Sequence, residues 1–212
     1  MVKNHRDPPK EQAVPDTEQK ILEAATRVFM LKGKAGASLQ DIADEAGINR
    51  TLLHYYFRSK DRLFDAIFEN LLQTVFPVIV SIFLSDAPLL SKIDQITEKY
   101  VDLFKDKPYL PSFIFNEISM NPDRLFGVVR GAGFDREAAI AFLKEQLAEE
   151  GITGMDPRHF IASFLGMVVF PFIARPLFMK IGFDDNQQEY SKFLEERKKV
   201  VPELFWKAYK KS

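Results

Sequence analysis

Residues 38–60, SLQDIADEAGINRTLLHYYFRSK, decide the fold, because they describe two short helices joined by a tight turn. Ser38 and Asp41 have the spacing of a capping box, which predicts a helix that begins directly after Ser38. Gly47 stands where a glycine with a positive φ ends a helix. Asn49 is then a candidate N-cap for the second helix, which leaves a turn of about three residues.

The second helix of this pair is predicted to have one buried and one exposed face. Leu53 and Phe57 recur at positions i and i+4, so both are expected to point inward. The predicted outward side chains are Arg50, Thr51, His54 and Tyr55. Such a set of hydrogen-bonding groups on the second helix of a pair suits a groove of DNA.

Two further helices frame this pair. Asp16 is predicted to open the first helix and Gly33 to end it. Ser59 is a predicted N-cap for the fourth helix, whose first turn presents Lys60 as a seat for a phosphate. Residues 1–15 contain three prolines and few apolar side chains, which is typical of a flexible arm.

The remainder of the chain shows helical periodicity and no period-two alternation over the length of a strand. The helices predicted beyond the fourth are 91–107, 113–120, 124–130, 134–150, 158–179 and 187–210. With the four helices above they make ten candidate segments, and the expected protein is all-α with about nine helices. Its predicted organisation is a flexible arm (1–15), a helix-turn-helix DNA-binding domain (16–62) and a larger helical domain (63–212).

Composition limits the function further. The chain has no cysteine and three scattered histidines, so neither a metal site nor a cofactor is expected. The N-terminus lacks the apolar segment of a signal peptide, which favours the cytoplasm. Residues 1–62 hold 11 basic and 9 acidic side chains, a net charge of +2, whereas the whole chain carries −1. With so small an excess, a DNA-binding protein must place its basic side chains individually against phosphates.

Neither a membrane protein nor an enzyme is expected. Residues 160–174 are apolar but contain Pro171, and the segment is shorter than the roughly 20 residues that a bilayer core requires. It is predicted to be a core helix or a subunit interface. The adjacent carboxylates at 149–150 and 184–185 are accompanied by no phosphate-binding loop or nucleophile motif, which argues against catalysis.

The run from Asp16 to Phe64, with the segments IADEAGI, LLHYYF and SKDRLF, resembles the TetR family of bacterial transcriptional regulators. The resemblance implies a three-helix DNA-binding domain followed by a helical domain that binds an effector and dimerises. Beyond Phe64 the chain is similar to the family only in being helical. Leu52 and His54 depart from the family pattern, which usually has a hydroxyl residue and a tyrosine at these two positions.

The resemblance implies contacts with DNA at Ser38, Gln40, Asn49, Arg50, Thr51, His54, Tyr55 and Lys60. Ser38 and Lys60 would bind phosphates and so fix orientation without reading sequence. Gln40, Arg50 and Thr51 would reach base edges, where arginine pairs with guanine and glutamine with adenine.

A small-molecule site in the second domain is also implied by the resemblance. Of the 20 phenylalanines, 16 lie after Val75, and a subset is expected to line an apolar chamber. The candidate walls are Phe83, Phe104, Phe113, Phe115, Phe164 and Phe172, and the candidate polar anchors are Asn116, Glu117 and Arg175. Alternatively, these phenylalanines only fill a bulky core.

The last two helices are expected to form a homodimer interface, as the resemblance implies. The candidate interface residues are Phe160, Val168, Phe193, Val200, Val201, Leu204, Phe205 and Ala208. A twofold dimer would read a palindromic operator.

These observations predict a sequence-specific DNA-binding transcriptional regulator, a repressor that a small lipophilic or aromatic effector releases from its operator. The alternative is a helix-turn-helix module without an effector, either constitutive or regulated by a protein partner. A cavity in the second domain would favour the first hypothesis.

Overall fold

The computed structural model describes residues 14–108, 110–131 and 133–209, which form eleven helices and no strand. The predicted all-α class is therefore confirmed. In chain order the helices are α1 (Val14–Gly36), α2 (Leu39–Ala46), α3 (Arg50–Tyr56), α4 (Lys60–Phe83), α5 (Leu89–Asp106), α6 (Leu110–Met120), α7 (Pro122–Gly131), α8 (Arg136–Glu149), α9 (Pro157–Ile173), α10 (Arg175–Gly182) and α11 (Gln187–Tyr209). The chain divides into two compact units, Met1–Leu71 and Leu72–Ser212, so the division falls within α4.

Most helix ends in the first unit were predicted from local signals. Ser38 and Asp41 form the expected capping box, and Gly47 ends α2 at φ 66°. Helix α1 departs from helical geometry at Gly33, where φ is 69°, as predicted. The predicted start at Asp16 is wrong by two residues, because Val14 and Pro15 are already helical. Proline is tolerated in a first helical turn, where its missing N–H has no partner to lose.

Most of the predicted arm, residues 1–13, lies outside the described residues. The described part of the first unit is held together by an apolar core from its four helices. Phe29 of α1 and Phe64 of α4 meet edge to face, with ring centroids 5.2 Å apart. Leu53 of α3 is fully buried and Phe57 nearly so, which confirms that this face of α3 points inward.

Helix α5 packs against α11 and α9 in the second unit. The buried core cluster consists of Leu89, Ile93, Ile96, Leu143, Leu147, Phe160, Phe164, Val168, Val201 and Phe205. Two ion pairs join α5 to α11 at the surface: Lys105 Nζ lies 2.6 Å from Glu195, and Lys198 Nζ lies 2.6 Å from Asp102. Hydrogen bonds from Lys105 and Lys198 lower the pKa of Glu195.

The prediction of a single helix at 158–179 is wrong. Two helices, α9 and α10, stand there instead, bent by 71° at Ala174. Pro176 cannot donate a hydrogen bond to the carbonyl of Phe172, and its ring would collide with that carbonyl in a continuous helix. This break contributes to the difference between eleven observed helices and about nine predicted ones.

Pro171 lies inside α9 without ending it, and α11 supplies the hydrogen bonds that α9 lacks there. Since Pro171 has no N–H, the carbonyl of Met167 has no partner within the helix. Arg197 of α11 donates its Nη2 group to that carbonyl. The carbonyl of Pro171 itself lies in the last turn of α9 and accepts a hydrogen bond of 2.8 Å from the hydroxyl of Tyr190.

Replacing Tyr190 with phenylalanine is expected to lower the free energy of unfolding by about 1–2 kcal/mol, since a buried carbonyl would lose its partner. The side chain of Tyr190 is 1% exposed, and burial raises the pKa of its hydroxyl to about 12. Urea unfolding of the variant and wild type at equal protein concentration measures the difference.

The matched control is Tyr209→Phe. The ring of Tyr209 packs at an angle against those of Phe160 and Phe205, and its hydroxyl makes no hydrogen bond within the described part of the chain. The free energy of unfolding of Tyr209→Phe should lie within about 0.5 kcal/mol of the wild-type value. Equal losses in the two variants would contradict a specific role for the Tyr190 hydroxyl.

By length and hydropathy alone, helix α4 could cross a membrane. Helices α9 and α10 together would also be long and apolar enough if they formed one straight helix. The core helices of globular proteins pass the same test. In α4, Leu63, Ile67 and Phe68 are buried in the protein core. Its later apolar residues border a cavity in the second unit.

Candidate nucleic-acid interface and ligand cavity

Helix α3 is fixed at its start by Asn49 and along its inner face by Leu53. The side-chain Oδ1 of Asn49 accepts a hydrogen bond of 2.8 Å from the backbone N–H of Leu52, which confirms the predicted N-cap. The side chains of Arg50, Thr51, His54 and Tyr55 are all exposed. Tyr55 is 80% exposed, and its ring lies edge to face with that of Tyr56, at 5.5 Å between ring centroids.

Two predicted DNA-contacting residues, one at the N-cap and one in the first turn of α2, already make local hydrogen bonds. Ser38 accepts from the backbone of Asp41 and donates to its carboxylate. Bonds from Lys32 and Ser38 lower the pKa of Asp41 to about 2. Gln40 donates from Nε2 to Asp44 at 2.8 Å. A contact of Ser38 or Gln40 with DNA must therefore add to these bonds or replace them.

The ammonium of Lys60 is engaged with the end of α1. Its Nζ donates to the backbone carbonyl of Ala37 at 3.0 Å and to that of Ala35 at 3.4 Å. Lysine has three N–H groups, so one remains for a phosphate. Lys60 thus stabilises the connection between α1 and α2, a role that sequence reasoning missed because its partners lie more than 20 positions away.

Arginine side chains without partners mark the exposed surface of this unit. Arg50, Arg58 and Arg62 are exposed and form no ion pair within the described part of the chain. By contrast, Arg27 lies 2.7 Å from Glu45. Sequence reasoning did not include Arg58 among the candidate DNA contacts. Its position in the loop between α3 and the predicted N-cap of α4 could have identified it, because a basic side chain there has no neighbour one helical turn away to form an ion pair.

A cavity of about 350 Å³ lies in the second unit, between α4, α5, α8 and α9. Of the candidate effector residues, Phe83 and Phe164 line it. The full lining is Phe76, Ile79, Val80, Phe83, Leu89, Lys92, Ile93, Ile96, Tyr100, Phe134, Arg136, Ala139, Ile140, Leu143, Phe160, Ile161, Phe164 and Leu165. Fifteen of these eighteen side chains are apolar, so the cavity suits a lipophilic molecule.

The other candidate effector residues do not line this cavity. Phe104 packs behind it, with its ring 5.4 Å from that of Tyr100 and 5.2 Å from that of Phe172. Phe113 is buried in α6, and Phe115 on the same helix is exposed. Sequence position placed these phenylalanines in the unit that holds the cavity but did not distinguish the cavity wall from the layer behind it.

The candidate anchors lie elsewhere as well. Glu117 is buried and accepts a hydrogen bond of 3.1 Å from Asn121, whereas Asn116 is exposed. Arg175 donates to the side chain of Gln187 at 2.6 Å. None of the three candidates borders the cavity.

The polar groups that line the cavity are Lys92, Tyr100 and Arg136, none of which sequence reasoning selected. Lys92 is 2% exposed, and its Nζ donates to Gln146 Oε1 at 2.8 Å. Burial lowers the pKa of Lys92 and raises that of Tyr100. The signal in the sequence was available: Lys92 directly precedes Ile93 within the buried stripe of α5.

Four of the candidate dimer residues are buried within a single chain. These are Phe160, Val168, Val201 and Phe205, which belong to the core cluster. Phe160 also borders the cavity, and its ring lies 4.7 Å from that of Phe205. Periodicity alone could not separate the inner apolar stripe of α11 from an outer one.

The remaining dimer candidates lie on the outer face of α11. Val200 and Leu204 are 39% and 51% exposed, Ala208 is exposed, and Phe193 is half-buried. Val200, Leu204 and Ala208 recur at i, i+4 and i+8 and so share one side of the helix. This outer apolar stripe is available to a second copy of the chain.

Comparison with known proteins places these features in context. Residues 21–67 match the family of bacterial regulatory proteins called the tetR family. The chain is 27% identical over 153 residues to the HTH-type transcriptional regulator RutR of Escherichia coli K12, which covers 70% of each protein. It is 38% identical over 59 residues to the regulator TtgR of Pseudomonas putida, a match that spans 28% of each chain.

A solved structure extends the likeness to the second unit. The transcriptional regulator FadR of Bacillus subtilis, determined in complex with stearoyl-CoA, superposes with a TM-score of 0.60. The superposition covers 86% of this chain and 96% of that one, at 14% sequence identity. At this identity the likeness establishes a shared fold.

Proposed function

Because this chain belongs to the TetR family of helix-turn-helix transcriptional regulators, we propose that it is a repressor that binds a palindromic operator as a homodimer and is released by a small lipophilic effector. The observation that carries the proposal is helix α4. Its first turn, with Lys60, belongs to the DNA-binding unit, and its last turns, with Phe76 to Phe83, line the cavity. A ligand in the cavity therefore contacts the same helix that begins beside the recognition helix.

The proposed DNA interface consists of α3, the start of α2 and the start of α4. Arg50 and Thr51, exposed in the first turn of α3, reach base edges, and arginine there is suited to guanine. His54 and Tyr55 follow one turn later and contact the backbone or a thymine methyl group. The proposed phosphate contacts are Ser38, Asn49, Lys60 and Arg58, with Gln40 beside them on α2.

The proposed dimer interface is built on the outer stripe of α11, with Val200, Leu204 and Ala208 at its centre and Phe193 at one end. A twofold axis there presents one α3 from each subunit to DNA. Two such helices read half-sites about one helical turn, or a multiple of it, apart. A chain of this family with these properties acts in the bacterial cytoplasm.

Release by an effector requires that the ligand prefer the state that does not bind DNA. The cavity, at about 350 Å³, falls at the lower end of the size range of small-molecule sites, which is roughly 300–1,000 Å³. Because Phe83 and its neighbours on α4 form one wall, a ligand can favour a tilt of α4 that moves α3 out of register with the groove. By reciprocity, operator DNA must weaken effector binding by the same factor.

Selection of bound sequences from random duplex DNA with the full-length protein tests the proposal. We expect an inverted repeat, bound at nanomolar concentration at about 150 mM salt. Fluorescence anisotropy of that operator is then followed while a panel of small apolar acids, phenols and alcohols is added. At least one compound should weaken binding about tenfold or more.

Each half of this experiment can fail separately. A selected sequence without inverted symmetry would contradict the dimeric repressor. An inverted repeat whose affinity no compound in the panel alters would favour the alternative, a helix-turn-helix module without an effector.

A further inference from the structure

We infer that the cavity takes an elongated amphipathic acid, whose carboxylate binds at Lys92 and whose far end carries a hydroxyl or carbonyl group for Tyr100. This inference rests on the proposed function, since it names the chemical class of the proposed effector. Its basis is that a buried lysine and a half-buried tyrosine of the same helix both line an apolar cavity.

Lys92 is a buried cation without a carboxylate in contact. Its Nζ donates to the neutral amide of Gln146 at 2.8 Å and lies 4.7 Å from the centre of the Phe142 ring. Asp86 and Glu149 act on it only through their more distant charges, which partly offset the effect of burial on its pKa. A buried ammonium with one neutral acceptor and a ring face has unused donors. A ligand carboxylate would supply the missing counter-charge.

Tyr100 provides the second polar group. Its side chain borders the cavity, its ring packs on that of Phe104, and its hydroxyl makes no hydrogen bond within the part of the chain that the structure describes. Burial raises its pKa, so the hydroxyl stays protonated and able to donate at neutral pH. A ligand with an acceptor at this end of the cavity would give the hydroxyl a hydrogen-bond partner.

The distance between the two groups defines the length of the ligand. Lys92 and Tyr100 are eight residues apart on α5, which corresponds to about 12 Å along the helix. Ile93 and Ile96 line the wall between them. The middle of the ligand is therefore apolar, and its polar groups lie at the ends.

The volume sets the size of the ligand. If each non-hydrogen atom occupies about as much space as a water molecule, roughly 30 Å³, a cavity of about 350 Å³ holds about twelve such atoms. Phe83, Phe134 and Phe164 are among the aromatic side chains that line that volume. A medium-chain or aromatic acid fills that volume, whereas a complete acyl-coenzyme A has several times as many atoms and would have to extend beyond it.

Isothermal titration calorimetry of the full-length protein with decanoate and 1-decanol tests the role of the charge. Both probes have the predicted size, and only decanoate carries a carboxylate. We expect decanoate to bind wild type about ten- to a hundredfold more tightly than 1-decanol, the range of a hydrogen bond to a charged group. Lys92→Met replaces the lysine with an apolar side chain of similar length and removes the positive charge, so it should abolish that preference.

The matched control is Lys99→Met, on the exposed side of the same helix. This variant should keep the preference for decanoate. Thermal unfolding of both variants checks that they fold. Lys92→Met is expected to be no less stable than wild type because it removes a buried charge. Equal affinities of wild type for the two probes, or no binding of either, would overturn the inference, as would an unchanged preference in Lys92→Met.

The far end is tested with 10-hydroxydecanoate. We expect Tyr100→Phe to weaken its binding about two- to tenfold while leaving the affinity for decanoate unchanged, since only the hydroxylated probe offers an acceptor to Tyr100. An equal effect of Tyr100→Phe on both probes would overturn the assignment of Tyr100.

Failure of this inference and failure of the proposed function give different results. If decanoate binds with the expected preference but does not change operator affinity, the cavity assignment stands and the effector role fails. If an uncharged apolar compound releases the operator and decanoate does not bind, the repressor stands and the amphipathic acid is wrong.

Discussion

Replacing Leu204 with arginine is expected to convert the proposed homodimer into a monomer and to lower operator affinity by a factor of about 10² to 10⁴. Leu204 is 51% exposed at the middle of the outer stripe of α11, between Val200 and Ala208. Twofold symmetry brings two copies of the substitution into the same interface, where like charges repel and lose solvent. The loss of affinity follows because the two half-sites are then no longer bound together. Sedimentation velocity measures the first effect and fluorescence anisotropy the second.

Leu84→Arg is the matched control for this prediction. Leu84 is 57% exposed, just after the end of α4 and outside the stripe. Its variant should stay dimeric and keep operator affinity. Circular dichroism distinguishes a folded monomer of Leu204→Arg from an unfolded chain. A dimer that persists in Leu204→Arg would mean that subunits associate through another surface.

Replacing Arg50 with alanine is expected to weaken operator binding by about 1–3 kcal/mol per half-site and to relax sequence preference at one base pair of each half-site. Arg50 is exposed at the first position of α3 and forms no ion pair within the described residues, so its guanidinium is available to a base. Anisotropy with operators altered at single base pairs measures both effects.

Arg58→Ala provides the comparison. Arg58 lies after the end of α3 and is proposed to contact a phosphate. Its replacement should weaken binding to all sequences alike and should reduce the slope of log affinity against log salt concentration by about one. If Arg50→Ala also weakened binding to all sequences equally, Arg50 would be a second phosphate contact and base recognition would depend on other residues.

Local features of the fold were predictable because their signals act over a few residues. The capping box of Ser38 and Asp41, the cap at Asn49 and the positive φ of Gly47 depend on hydrogen bonds and steric limits within one helical turn. The same locality explains the error at α9 and α10. The apolar periodicity continues across the break, and in the sequence only Pro176, which lacks an N–H for the carbonyl of Phe172, marks it.

The candidate sites were less predictable, because they depend on packing between distant segments. Lys60 carries the pattern of a phosphate-binding lysine, yet it binds carbonyls that precede it by more than 20 residues. Lys92 lines the cavity only because α8 and α9 fold over α5. Phe205 has the periodicity of an interface residue, and only the position of α9 shows that it belongs to the core.

The hydrogen bond between Arg197 and Met167 also constrains how this protein can evolve. As long as position 171 is proline, the carbonyl of Met167 depends on a side chain from another helix, so loss of Arg197 is harmful. Once a mutation restores an N–H at position 171, that carbonyl has a partner in its own helix and position 197 becomes free to vary. The order of the two substitutions therefore matters, and descendants that lack the arginine should already have lost the proline.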